Sequence, residues 1–209
     1  MFASLRVVTP PEQEPVDVEL VRRHCRVDAD YDDDLLVIYA ASARQWAEAW
    51  LNRALITQEL RYTISHSPPP TASPLVPQSL IVFPLNWPPL IRRPIALPRA
   101  PCTAVKSVAW GPADEELQPA ASDLYAVNLG VEPAQVMIRH SLVPIVPTMS
   151  VAFDFIAGYG EPDDVPGPIK SGILLLTAYL YEGRGDVNSE MPEAPWQLMA
   201  PYRLWTFSG

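Results

Sequence analysis

Between His66 and Pro101, proline recurs so densely that neither a long helix nor a central strand fits. The runs are SPPPTASPLVPQS, FPLNWPPLIRRP and LPRAP. Each proline lacks the backbone N–H and has a fixed φ, so it ends a helix or leaves a gap in a ladder. The stretch reads as one long Pro-rich loop, residues 66–101, with an edge strand at Leu80–Phe83; loops of that length are functional or mobile as a class. Prolines elsewhere bring the total to 25 in 209 residues, about twice average usage. They form no repeat, which signals a folded chain with many strand ends and excludes a collagen-like one.

Periodicity assigns what lies on either side. Pro10, Pro11 and Pro15 keep residues 1–15 extended. A short helix follows, capped by Asp17, with Leu20, Val21 and His24 on one face. The acids of DADYDDD open a second helix over Asp32–Asn52 and complement its dipole. Leu35, Tyr39, Ala43, Trp46 and Trp50 recur at threes and fours, which predicts its buried stripe. Ile56–Ser65 alternates as a half-buried strand, with Ile56, Gln58, Leu60, Tyr62 and Ile64 on one face. Short strands are predicted at Thr103–Trp110, Leu124–Asn128, Gln135–Arg139 and Ser150–Ile156. A third helix runs over Pro168–Glu182, apolar nearly all round, and Gly183 and Gly185 end it. One of its sides is expected to meet a neighbouring subunit, through Ile169, Ile173, Leu176 and Leu180.

The class is therefore α+β. A helical core of two N-terminal helices and one long C-terminal helix (residues 1–55 and 165–200) carries an inserted β-rich lobe (56–160) and an extended C-terminal tail (201–209). The net charge of −9 argues against wrapping nucleic acid by counterion release, which needs a Lys/Arg surface. It leaves open the passage of DNA through an acidic channel. The longest apolar helix, near 15 residues, is shorter than the ~20 a membrane span requires. The N-terminus lacks the apolar run of a cleaved signal, and the chain reads as soluble.

Chemical motifs are sparse. Asp28, Asp30 and Asp32 have the odd spacing of a calcium loop, but Asp33 and Tyr39 stand where Gly and Glu would be needed. The acids read as a helix start, and neither a metal nor a cofactor is expected. Cys25 and Cys102 lie far apart with no CxxC neighbour and read as buried or half-buried thiols. His24, His66 and His140 are scattered. Neither a nucleophile elbow nor a P-loop is present, and AGYG (157–160) reads as a turn. Arg92, Arg93 and Arg99 form one basic cluster beside Trp87, a contact for DNA or an acidic partner or simply a solvated loop. The tail APYRLWTFSG carries Tyr202, Arg203, Leu204, Trp205 and Phe207, the residue types that dominate interface hot spots. Such a peptide either folds back on its own helices or docks on another protein.

The ordered pieces resemble a known family. VVTPPEQEPVDVELVRRHCRVDADYDDDLL leads into a helix ending RALI; IALPRAPCTAVKSVAW and DLYAV follow; then come FIAGYG, VPGPIKSGILLLTAYLYEGR and a closing LMAPYRLWTF. This order, over nearly the whole chain, is similar to the head–tail connector (adaptor) proteins of long-tailed bacteriophages and phage-derived gene transfer agents. Two departures stand out: residues 67–94 are longer and richer in proline than usual, and Gly172 stands where Ala is common, letting helices approach closely.

The resemblance implies a structural adaptor without enzymatic activity: a homo-oligomeric ring, typically of twelve copies, between the capsid portal and the stopper or tail terminator. The ring would extend the DNA exit channel at the head–tail junction of a virion or phage-like particle assembled in the bacterial cytoplasm. It also implies that the C-terminal segment docks on the portal, which maps to Tyr202, Arg203, Leu204, Trp205 and Phe207. Two other readings stay beside it. One is a binding module whose β-lobe holds a small ligand or surface glycan between Trp87, Trp110 and the Pro-rich loop. The other is a hydrolase using a carboxylate pair from Asp154, Glu161, Asp163 and Asp164.

Overall fold

The computed structural model describes residues 2–28, 30–66, 94–112, 115–139, 149–183 and 191–205. Among them are eight strands and four α-helices. In chain order they are β1 (Phe2–Thr9), α1 (Val18–Cys25), α2 (Asp33–Leu51), β2 (Gln58–His66), β3 (Ile95–Ala96), β4 (Cys102–Pro112), β5 (Gln118–Pro119), β6 (Tyr125–Asn128), β7 (Gln135–Ile138), β8 (Met149–Ala157), α3 (Gly167–Gly183) and α4 (Ala194–Met199). This is an α+β chain. The edge strand expected at Leu80–Phe83 falls outside the described residues, as do Trp87, Arg92, Arg93, His140 and Phe207.

Two compact units divide the chain. Residues 9–58, 99–101 and 157–209 form the helical one; residues 1–8, 59–98 and 102–156 form the β unit. The extended start expected in the helical core thus belongs to the β unit as β1.

In the helical unit, Asp17 caps α1 by accepting the Leu20 N–H at 2.6 Å, and Arg26 ends the helix in the left-handed region (φ 56°). The acids before α2 form a 3-10 turn, Asp30–Asp32. Asp33 takes the Arg22 guanidinium, with Nε at 3.0 Å, and Asp32 takes the Tyr181 hydroxyl at 2.6 Å. These carboxylates tie α1 and α3 to the start of α2.

The stripe expected on α2 is rotated. Leu36, Ala40, Ala43, Ala47 and Leu51 are buried, whereas Trp46 is 38% exposed and Leu35, Tyr39 and Trp50 are half-buried. Large aromatic side chains misled the periodicity. The face against α3 takes alanines because small residues let two helices pack closely, and the indoles lie at the flanks.

On α3, Ile169, Ile173 and Leu176 have no exposed surface and sit in this unit's own core with Leu36, Leu51 and Met199. That corrects the expectation that they meet a neighbouring subunit, since a side chain without exposed surface has none to offer. Leu180 is half-buried and keeps some, as do Leu174 and Leu175. Gly172 has the role its departure suggested. A Cβ there would lie 2.8 Å from Met199 Cγ and 2.9 Å from its Sδ, so the missing side chain is what seats α4 on α3.

AGYG is a backbone crossing. Gly158 (φ 141°) lies where a Cβ would come within 2.6 Å of the Ile56 carbonyl and Thr57 nitrogen. Thr57 N donates to Gly160 O at 3.1 Å and Gly158 N to Pro101 O at 2.9 Å. Ile56 therefore makes a single parallel bridge with Gly160, and β2 begins two residues later than expected.

The β unit holds a five-stranded sheet, ordered β1-β2-β8-β4-β5, and a three-stranded sheet, β3-β7-β6, with antiparallel pairing in the latter. β8 is central, and Phe153 and Phe155 are fully buried. Polar side chains set its neighbours in register: Arg61 of β2 grips Asp154 with two bonds at 2.6 and 2.8 Å, and Ser107 of β4 donates to the same carboxylate at 2.8 Å. Arg61 and Ser107 together hold Asp154 below the usual carboxylate range, Arg61 contributing most.

Candidate docking surface at the C-terminal end

The α2 C-terminus supplies a platform for the end of the chain. Asn52 closes α2 in the left-handed region (φ 55°), which turns Arg53 away from the helix axis. Arg53 Nε then donates to Tyr202 O at 2.6 Å, and Leu204 N donates to Leu51 O at 2.9 Å. Two main-chain groups of the tail are thus tied to the last turn of α2.

Aromatic rings complete the surface. Trp196 of α4 meets Trp50 with centroids 5.3 Å apart and planes tilted by 49°. The Arg203 guanidinium lies between two indoles, 4.6 Å from the Trp50 ring and 4.2 Å from Trp205. Each such contact is worth about 0.5–1 kcal/mol at an exposed site. On the open side, Trp205 is 64% exposed and Leu198 42%.

Up to Trp205 the tail follows the first of the two alternatives its composition allowed, folding back on the chain's own helices. Tyr202, Arg203 and Leu204 are half-buried there. What remains open is Trp205 and the outer face of the stacked Arg203. The surface offers an indole, an aliphatic side chain and a guanidinium already fixed in place, which suits recognition and supplies no acid–base chemistry.

Sequence reasoning missed the buried charges behind this surface. Arg44 and Glu48, at i and i+4 on α2, are buried among the alanines. Glu48 accepts from Arg44 Nη1 (2.9 Å), Leu55 N (2.9 Å) and Gln58 Nε2 (2.8 Å), while Arg44 Nε reaches Glu14 at 2.7 Å. Burial pushes the Glu48 carboxyl above its ordinary value, against the Leu55 N–H and the nearby Arg44 and Arg99. Arg99 (φ 62°) lies beside this network, while Arg92 and Arg93, grouped with it by sequence, fall outside the described residues. It donates to Arg53 O at 3.3 Å, and burial pulls its pKa down. The only sequence signal was polar residues inside an apolar stripe, and the wrong stripe phase concealed it.

The remaining candidates have structural roles. Glu161 and Asp164 cap the turn Pro162–Asp164 reciprocally, and Asp154 is held by Arg61. Trp110 is buried at 7% exposure and gives a ligand no ring face. Cys25 and Cys102 are free, half-buried thiols with pKa values raised by burial, which disfavours the reactive thiolate. His24 is exposed. Among the described residues, no cluster of three or more His, Cys, Asp or Glu is placed to hold a metal. No described helix is long and apolar enough to cross a membrane.

Comparison with known proteins bears out the family resemblance. Residues 15–110 match the family described as Phage gp6-like head-tail connector protein. No curated protein matches the chain. Among solved structures, the fold is shared with a chain of the virion of a native gene transfer agent (GTA) particle, at 20% identity and TM-score 0.69, covering 98% of both chains. It is shared with a chain of the neck of an empty GTA particle computed with C6 symmetry, at 22% identity and TM-score 0.70, and with one of the neck of a native GTA particle computed with C12 symmetry, at 21% and 0.63. The last two each cover 99% of this chain and 98% of the other.

Proposed function

We propose that this chain is a non-enzymatic structural subunit of the neck of a phage-like particle, at its head–tail junction. In this reading it forms a ring of twelve copies between the portal and the stopper or tail terminator, and the ring extends the DNA exit channel. The observation that carries the reading is the end-to-end likeness to chains of GTA necks computed with C6 and C12 symmetry, joined to the connector-family match over residues 15–110. The charge of −9 is consistent with it, since an acidic lumen repels phosphates and lets DNA slide.

The C-terminal surface is the portal contact in this proposal. Residues 202–204 hold the platform, and Trp205, with Phe207 beyond it, reaches the partner. The test uses purified chain with and without portal, followed by native mass spectrometry and electron microscopy. Twelve-membered rings on portal are the expected result; a chain that stays monomeric beside portal at any concentration overturns the ring. Trp205→Ala is expected to weaken portal binding about thirtyfold or more, the size of an interface hot spot. Unchanged affinity would remove the tail from the contact.

A further inference from the structure

The turn that follows α2 is pinned along its whole main chain. Residues 53–55 run from the end of the helix toward β2 with neither helix nor strand of their own. Arg53 N donates to the Glu48 carbonyl at 3.2 Å, Ala54 N to Ala100 O at 3.0 Å and Leu55 N to Glu48 Oε1 at 2.9 Å. The carbonyls at either end are taken as well. Arg99 Nη1 donates to Arg53 O at 3.3 Å, and Tyr159 N donates to Leu55 O at 3.1 Å. The main chain of Arg53 is therefore fixed on both sides, and its side chain points to the tail, with Nε on the Tyr202 carbonyl at 2.6 Å.

Two of the groups that pin this turn are costly to place there. Glu48 lies in the last turn of α2, where an acid opposes the helix dipole, and it is only 6% exposed. Arg44 offsets part of that cost, yet burial still holds the carboxyl above its ordinary value. Arg99 sits at φ 62°, a conformation that disfavours any residue with a Cβ, and it is half-buried. Stability alone would favour a neutral side chain at 48 and a glycine at 99. Strained and desolvated groups persist where the surrounding geometry has to be kept, and here both costs fall on the residue that carries the tail.

We propose that Glu48 and Arg99 are positioning residues for the C-terminal docking surface: they fix Arg53, which sets where the Tyr202 carbonyl is held and so how Arg203 and Trp205 are presented. Arg203 follows Tyr202 directly, and the next main-chain anchor, Leu204 N on Leu51 O, lies at the same end of α2. The inference rests on the portal-contact reading and adds to it two residues that stand behind the contact. A surface held in its binding form before the partner arrives loses less freedom on docking, so its affinity depends on the groups that hold it.

The experiment uses the full chain and reads the tail before any partner is added. Amide hydrogen exchange is followed at Leu204, whose N–H is bonded to Leu51 O, in Glu48→Ala and Arg99→Gly. Both variants are expected to exchange there about tenfold faster than wild type, the scale of one hydrogen bond to a charged group. Asp154→Asn, which costs stability in the β unit, should leave that amide at its wild-type rate. Glu48→Gln keeps an acceptor for Leu55 N and should restore most of the protection. Arg99→Gly exchanges a strained residue for one that favours its φ, so it carries the test even if Glu48→Ala does not fold. Portal affinity is measured next, and Arg99→Gly is expected to bind roughly threefold or more weakly. A wild-type exchange rate at Leu204 in folded Arg99→Gly overturns the inference. Faster exchange with unchanged portal affinity also overturns it. Trp205→Ala then separates the two readings: weaker binding leaves the portal contact standing without these positioning residues, and unchanged binding removes both.

Discussion

Two carboxylates in this chain titrate in opposite directions, for reasons visible in their partners. Asp154 is held below its ordinary value of 3.8 chiefly by Arg61, so its contribution to stability is present above that pH and lost as pH falls through the lowered value. Glu48 is raised above 4.5 because burial outweighs its four favourable partners. Its contribution is full below about pH 4.5 and declines as pH rises through the raised value. Unfolding free energies measured against pH should therefore show the advantage of wild type over Asp154→Asn shrinking toward acid, and that over Glu48→Gln shrinking toward neutral pH. Parallel trends for the two variants would contradict the assignment. Arg203 offers a second check at this scale. A double-mutant cycle of Arg203→Ala with Trp50→Ala should give a coupling of about 0.5–1 kcal/mol in chemical denaturation. Additive losses would mean that the stack contributes nothing.

Among the elements, α4 depends on one missing side chain. Gly172→Ala adds a methyl within 3 Å of Met199, an overpacking cost of ~1–3 kcal/mol, partly offset by ~1 kcal/mol of helix propensity. A net loss of roughly 1 kcal/mol is expected. Met199→Ala, which alone should cost ~2–5 kcal/mol, is expected to cost less when Gly172→Ala is already present, because the methyl fills part of the cavity. The crossing at Gly158 is less forgiving. A Cβ there meets backbone atoms at 2.6 Å and a φ of 141° strains any side chain, so Gly158→Ala should destabilise the helical unit by more than about 3 kcal/mol. A variant with wild-type melting behaviour would show that Ile56–Thr57 can move aside. The elements themselves were largely readable. α1 with its Asp17 cap, α3, and β4, β6, β7 and β8 fall within a few residues of their sequence-based ranges, because caps and apolar period act locally. β3 and β5, two residues each, were not, since strands so short exist only by pairing with β7 and β4.

For the whole molecule, the end of the chain is tied to α2 through Tyr202, Arg203 and Leu204. Deleting residues 201–209 removes the Tyr202 carbonyl, the Leu204 N–H and the stacked guanidinium from the end of α2, so that truncation should lower the melting temperature by several degrees. Thermal melts of the truncated and full chains check this, and an unchanged melting temperature would mean that these bonds and the stack contribute nothing to stability. The aromatic and basic composition of the tail was plain in the sequence. Its attachment to Trp50 and Leu51 was not, because residues about 150 apart in the chain meet only after α2 and α4 have packed.

What the sequence determined by itself is whatever depends on neighbours along the chain: the proline-dense stretch that can hold neither long helix nor central strand, the capped helix starts, the alternation of β2, and the order of the motifs that carry the resemblance. Tertiary structure alone decided which face of α2 is buried, that Ile169, Ile173 and Leu176 serve the chain's own core, and that the buried pair Arg44 and Glu48 has the half-buried Arg99 beside it. The reason is physical. Caps, turns and periodicity are fixed by interactions over a few residues, whereas burial and charge pairing are fixed by which distant surfaces meet, and small residues such as Gly172 and the alanines of α2 decide that meeting by what they leave out.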